Sequence, residues 1–133
     1  MPAESAPYSP LPSGPTRWRS WTSGVTTVRD LGDRNYGTLA LRAEPAAGPQ
    51  VLAAGPPITT VQGHCWFLGG EAQGIDALRS AVAECADRGT DLVKIMATGG
   101  QLTPGSHPHE SQYTRTELST VVSLTVGTSP LRT

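Results

Sequence analysis

Residues 91–100, DLVKIMATGG, decide the fold prediction. Five of the first seven residues are apolar and two glycines close the stretch, which is typical of a buried strand that ends in a loop. Lys94 interrupts the apolar run, although burying an unpaired ammonium group costs free energy. The stretch therefore predicts a strand and also raises the question of what the lysine does.

Two further strands are predicted N-terminal to this one. Residues 24–32 (GVTTVRDLG) are β-branched and end in a glycine, and residues 49–57 (PQVLAAGPP) are apolar and stop at two prolines. Residues 91–97 form the third predicted strand.

Helices are predicted between and after these strands. Residues 35–48 have helical character up to Pro45, and residues 74–89 form an amphipathic pattern that ends at Gly89. Residues 113–122 open a further helix. Two motifs are expected to stabilise its start. Thr114 and Glu117 form a capping box, and Tyr113 and Leu118 form a hydrophobic staple.

This alternation of strands and helices predicts an α/β fold with a parallel sheet covered on both faces. In such folds the functional side chains lie at the carboxyl ends of the strands and in the loops that follow. The chemically capable residues placed there are Arg29, Asp30, His64, Lys94, Thr98, His107, His109 and Glu110.

Three roles are open for Lys94 from this segment alone. A desolvated lysine has a lowered pKa, and its neutral amine can form a Schiff base with a carbonyl substrate. The same amine can add carbon dioxide and become a carbamate that binds metal ions. The structural alternative is a lysine at the rim of the sheet, or one paired with Asp91 or Asp30.

Composition excludes several classes of protein. The net charge of −1 over 133 residues gives no electrostatic footprint for nucleic acid or an acidic membrane. No apolar run approaches the roughly 20 residues of a membrane helix. The start of the chain is not a secretory signal, and the two cysteines have no zinc or disulfide spacing. We expect a cytoplasmic protein.

Four blocks of the chain resemble the amidohydrolase superfamily, in the branch of imidazolonepropionase-like and Xaa-Pro dipeptidase-like enzymes. They are GVTTVRDLG (24–32), QVLAAGPPITTVQGH (50–64), GTDLVKIMATGG (89–100) and SQYTRTELSTVV (111–122). The resemblance implies a (β/α)8 TIM-type barrel, of which residues 24–122 would supply about three parallel strands with intervening helices.

The same resemblance implies a metal-dependent hydrolase of C–N bonds in amides, peptides or cyclic amides. Lys94 matches the lysine that is commonly carboxylated and bridges a binuclear centre, usually of zinc. His64 matches a histidine that often contacts the substrate, which would be a small molecule or dipeptide-like. A bridged pair of metal ions lies about 3.5–4 Å apart and supplies a hydroxide nucleophile.

The departures from the family pattern predict an incomplete barrel. Residues 1–23 contain no histidine to match the family's first metal-binding pair, and Lys94 is the only family metal ligand present. His107 and His109 form another HxH, but their position after the Lys94 strand differs from that pair. We therefore expect little or no activity from the isolated chain, unless a partner chain completes the barrel.

Both ends lose the family pattern abruptly, so residues 1–23 and 123–133 are predicted to be disordered or non-native. A frameshifted record, a true truncation and one half of a split enzyme all fit this pattern. Two other functions stay open: a Schiff-base lyase of the aldolase type using Lys94, and a non-enzymatic remnant.

Overall fold

The computed structural model describes residues 15–44 and 47–127. Its regular elements follow one another along the chain. They are α1 (Pro15–Thr22), β1 (Thr27–Asp30), α2 (Gly37–Ala43), β2 (Gln50–Ala53), a short 3-10 helix (Trp66–Leu68), α3 (Ile75–Arg88) and α4 (Arg115–Gly127).

Strands β1 and β2 form a parallel pair, as the sequence predicts. Val28 lies opposite Val51, and Asp30 lies opposite Ala53. Parallel neighbours need a crossover connection, and α2 lies within the connection between these two strands. Both predicted strands are present, although each is shorter than predicted.

The predicted third strand, residues 91–97, is not a continuous strand. Its residues run parallel to the chain beyond β2, but Ile95 makes only an isolated bridge to Ile58. The Ile58 N–H donates to the Lys94 carbonyl and the Met96 N–H donates to the Ile58 carbonyl, each at 2.8 Å. The prediction of three regular strands is therefore wrong for the described residues, which contain a two-stranded sheet.

Gly55 explains this interruption. In a regular strand the carbonyls of residues two apart face the same neighbour. Here the Ala53 carbonyl accepts from the Asp91 N–H, while the Gly55 carbonyl accepts from the Asp33 N–H on the other side. Gly55 has a φ of 70°, which a strand cannot contain, and the two prolines that follow it carry no N–H group.

The predicted helix at residues 74–89 is confirmed as α3, and its end follows from local chemistry. Gly89 adopts the left-handed conformation with a φ of 79°, and its N–H caps the carbonyls of Cys85 and Ala86. The buried side of α3 carries Leu78, Val82 and Cys85, as the apolar stripe predicts.

Helix α4 begins with the predicted capping box. The Thr114 N–H donates to the Glu117 carboxylate at 2.8 Å, and the Glu117 N–H donates to Thr114 Oγ1 at 3.3 Å. The helix continues to Gly127, beyond the two turns that the sequence pattern indicates. Residues 128–133 of the predicted tail lie outside the described residues.

The core lies between these two helices and the extended segments. Six buried residues form the central cluster: Ile58, Ala72, Leu78, Val82, Tyr113 and Val121. Val93 and Ile95 pack against this cluster together with Leu118. The extended segment that carries Lys94 is therefore covered on one face by α3 and α4.

The N-terminal segment contains an element that the sequence does not predict. Residues 1–14 lie outside the described residues, but residues 15–22 form α1. That residues 1–23 and 123–133 are non-native sequence stays a prediction. Across the described residues, no helix combines the length and the apolar character required to cross a membrane.

Candidate functional site

Lys94 lies on the face of its segment that points away from the helices. Side chains alternate along extended chain, and both neighbours of Lys94, Val93 and Ile95, pack against the core cluster. The Lys94 side chain is half-buried. A lysine in this position keeps its cation at the sheet surface that the helices leave uncovered.

The two carboxylates predicted as alternative partners of Lys94 interact with other groups. The Asp91 carboxylate pairs with Arg42 and also accepts from the Ala53 N–H at 2.9 Å. The Asp30 carboxylate accepts from the Thr38 hydroxyl at 3.0 Å. Among the described residues, no acidic side chain forms an ion pair with Lys94, so the pairing alternative from the sequence loses its support.

Burial raises the pKa of Asp30, and the hydrogen bond from Thr38 opposes that effect. Asp33 lies next to this pair, and its negative charge adds to the rise. The Asp33 carboxylate in turn accepts a hydrogen bond from the Thr38 N–H at the start of α2. These acidic groups therefore anchor the loop between β1 and α2.

Cys65, the residue after His64, is close enough to Lys94 for the charge of the lysine to act on its thiol. Burial raises the pKa of the Cys65 thiol, and the positive charge of Lys94 opposes that rise. The Cys65 N–H donates to Thr103 Oγ1 at 2.9 Å. The structure thus places the Cys65 thiol within electrostatic range of the Lys94 ammonium group.

His64 is held through its backbone and its ring. Its N–H donates to Gln112 Oε1 at 2.6 Å. Its ring lies so close to Gly100 that a Cβ added there would fall 2.4 Å from His64 Nε2. Within the described residues, His64 Nδ1 is buried and has no hydrogen-bond partner, which leaves one ring nitrogen free for a further contact.

The other predicted site residues are dispersed. Arg29 is exposed on β1, and Thr98 is exposed, with a backbone bridge to Ser111. His107 and His109 are exposed and stack on each other with ring centroids 5.8 Å apart. Over residues 15–44 and 47–127, no three His, Cys, Asp or Glu side chains form a group that could hold a metal ion.

Gln112 is the residue that sequence reasoning missed. Its side chain joins the His64 turn to the end of the Lys94 segment. The available signal was its place in the SQYT run, one residue before the buried Tyr113 and two before the capping residue Thr114. Spacing alone could not reveal its partners, because they lie 16 to 53 residues away.

A cavity of about 320 Å³ lies next to α3. Its lining includes Tyr36, Ile58, Cys85 and Arg88 but neither Lys94 nor His64. The Arg88 guanidinium lies 4.8 Å from the centroid of the Tyr36 ring, and burial raises the pKa of the Tyr36 hydroxyl. This cavity therefore lies between α3 and the segments at residues 35–36, 56–58 and 68–71.

The structural neighbours of the chain are amidohydrolases, which it matches over part of their length. An amidohydrolase crystal structure matches with a TM-score of 0.73 and 27% identity, covering 85% of this chain and 33% of that one. A Xaa-Pro dipeptidase with bound methionine in the active site matches with a TM-score of 0.73 and 28% identity, covering 88% and 36%.

A sequence relative leads to the same class. The ochratoxinase of Aspergillus niger is 26% identical over an alignment that covers 79% of this chain and 27% of the ochratoxinase. No protein-family profile matches the chain. The predicted resemblance to amidohydrolases is confirmed, and the chain spans about a third or less of the length of the proteins it matches.

Proposed function

We propose that this chain forms part of a metal-dependent amidohydrolase that cleaves C–N bonds in amides, peptides or cyclic amides. The observation that carries the proposal is the half-buried Lys94, which has no acidic partner among the described residues. Its segment is joined to the His64 turn through the hydrogen bonds of Gln112. The similarity to a Xaa-Pro dipeptidase favours small, dipeptide-like substrates.

In this proposal Lys94 acts as a carboxylated lysine. Its neutral amine nitrogen adds to the carbon of carbon dioxide and releases one proton, which leaves a carbamate anion with two donor oxygens. Oxygen donors of this kind bind divalent ions such as zinc. A lysine that forms no ion pair suits this reaction because its amine is not already committed to a carboxylate.

The described residues do not by themselves fit a complete metal centre, because Lys94 is not accompanied there by a cluster of His, Cys, Asp or Glu. We therefore assign no catalytic step through a metal. The remaining ligands would come from polypeptide beyond the described residues, either covalently continuous or on a partner chain. The isolated chain is expected to show little or no hydrolase activity.

His64 is proposed as a substrate-contacting residue. Its Nδ1 atom is buried and without a hydrogen-bond partner in the described part of the chain, so a bound polar group could satisfy it. The proposed compartment is the cytoplasm, since both cysteines are free thiols in the structure. Nucleic acid and membrane partners are not proposed, because the net charge is only −1.

A chimeric enzyme tests the function. Residues 24–127 would replace the matching segment of the similar Xaa-Pro dipeptidase, and zinc content and dipeptide hydrolysis would be measured. We expect the chimera to bind zinc and hydrolyse dipeptides, and the Lys94→Ala chimera to lose both. A folded chimera that hydrolyses dipeptides equally well with Ala at position 94 would contradict the proposal.

Borohydride reduction distinguishes the lyase alternative. A half-buried lysine without an acidic partner also suits Schiff-base chemistry, so the chain would be incubated with carbonyl compounds and then reduced. We expect no stable adduct on Lys94 by mass spectrometry, with Lys94→Arg as the matched control. An adduct that forms on Lys94 and is absent from that control would favour the aldolase-type reaction.

A further inference from the structure

We propose that Gln112 is a positioning residue that holds the His64 turn against the end of the Lys94 segment. The inference deepens the proposed function, and it rests on that proposal for the roles of His64 and Lys94. None of the hydrogen bonds of Gln112 is made to Lys94, so Gln112 would act through the geometry it imposes. Its hydrogen bonds, however, are properties of the fold whatever reaction the site supports.

The side-chain amide of Gln112 is used at both ends. Its Nε2 donates to the Met96 carbonyl at 2.7 Å and to Thr59 Oγ1 at 3.2 Å. Its Oε1 accepts from the His64 N–H at 2.6 Å. One side chain therefore connects three segments: the chain after β2, the end of the Lys94 segment and the His64 turn.

The backbone of Gln112 fixes the same connection. Its N–H donates to the Ala97 carbonyl at 2.9 Å, so main chain and side chain both attach to the residues that closely follow Lys94. Thr59 is fully buried at 0% exposure. The Gln112 side-chain amide is thus anchored in well-packed structure. Its hydrogen bond from the His64 N–H attaches the turn to that structure.

Two glycines show that the neighbouring chain is shaped around this arrangement. A Cβ at Gly63 would lie 2.7 Å from Gln112 Oε1 and 2.6 Å from Thr59 Oγ1. A Cβ at Gly100 would meet the opposite side of the turn, 2.4 Å from His64 Nε2. His64 is therefore held between Gln112 and Gly100. Neither Gly63 nor Gly100 has room for a larger residue.

Only an amide can make this set of bonds. Two of the partners are acceptors of Nε2 protons and the third is a donor to Oε1, and Gln supplies both functions on one side chain. A methionine would have similar length but would make none of these hydrogen bonds. The substitution Gln112→Met therefore separates hydrogen bonding from the filling of space.

The test measures amide hydrogen exchange and the ring resonance of His64 in the full chain, without metal or substrate. In Gln112→Met we expect the His64 amide to exchange roughly tenfold faster relative to the Leu78 amide in α3, because a buried hydrogen bond is lost. The His64 ring signal should shift, while those of His107 and His109 should not. Gln73→Met, at an exposed glutamine, is the matched control.

An unchanged His64 amide and ring signal in Gln112→Met would overturn the proposal and leave Gln112 a space-filling residue. If that variant does not fold, Gln112→Asn carries the test, because it keeps the amide but shortens the side chain by one methylene and withdraws the amide from the His64 N–H. A tenfold faster exchange at His64 supports the proposal, and unchanged exchange rejects it. Because no metal or turnover is involved, this outcome is separate from success or failure of the chimeric hydrolase.

Discussion

At the scale of single residues, Lys94 and Arg42 are two cations with contrasting surroundings. Arg42 pairs with Asp91 and also donates to the Gly89 carbonyl at 3.1 Å. Lys94 is half-buried without an acidic partner in the described part of the chain. A half-buried cation without an acidic partner does little for stability, so we infer that Lys94 serves function instead.

We therefore expect Lys94→Met to leave stability unchanged or to raise it by up to about 1 kcal/mol, because an incompletely compensated charge is removed. Arg42→Met should lower stability by about 0.5–1 kcal/mol, since it breaks a partly exposed ion pair. Urea denaturation of both variants measures the difference. A larger loss in Lys94→Met than in Arg42→Met would indicate a structural role for Lys94.

At the scale of elements, α4 depends on its first turn. Thr114 and Glu117 exchange hydrogen bonds there, and Tyr113 anchors the turn through a bond from its hydroxyl to the Ala72 carbonyl at 2.7 Å. The hydrogen bonds from Thr114 lower the pKa of Glu117. The start of α4 is therefore determined by local groups that also attach it to the core.

Thr114→Ala should cost about 1 kcal/mol of stability, the usual value for a lost N-cap. The effect should depend on pH. Because the folded pKa of Glu117 is lowered, its stabilisation is present above the unfolded pKa and disappears as the pH falls through the folded pKa. Thermal denaturation at neutral and acidic pH tests this, with Ser119→Ala on exposed helix surface as control. An equal cost at both pH values would argue against the carboxylate's part in the cap.

At the scale of the whole molecule, apolar surface and sheet edge are left uncovered. Leu102 and Val126 are each 76% exposed, and Val122 is 60% exposed. The backbone groups of Val93 and Ile95 have no hydrogen-bond partner within the described residues. Exposed apolar surface and an open sheet edge each favour association with other polypeptide.

We expect the isolated chain to associate as its concentration rises, which sedimentation velocity would detect. Val122 and Val126 lie on the outer side of α4, so the double variant Val122→Glu, Val126→Glu should remain monomeric at higher concentration without a large change in thermal stability. The matched control is Ser119→Glu, an exposed position on the same helix. Equal association of the double variant and the wild-type chain would exclude the outer side of α4 as the contact surface.

The site could be predicted only in part from the sequence. Lys94 and His64 were identified by their place in blocks that resemble amidohydrolases, and in the structure hydrogen bonds through Gln112 join their segments. Gln112 and Thr103 were not identified, although they hold the backbone of His64 and Cys65. An uncharged polar residue in a loop has no periodic pattern, so its role appears only when its partners are known.

The sequence by itself determined the helices α3 and α4 and the pairing of β1 with β2 through a crossover. These features depend on apolar spacing, caps and turn residues that act within a few positions of each other. Only the tertiary structure decided that the third strand reduces to a bridge at Ile95, that Asp91 pairs with Arg42, and that Gln112 joins the site. Such contacts join residues as much as 53 positions apart, as in the Gln112–Thr59 case, and their geometry depends on how the backbone turns at positions such as Gly55.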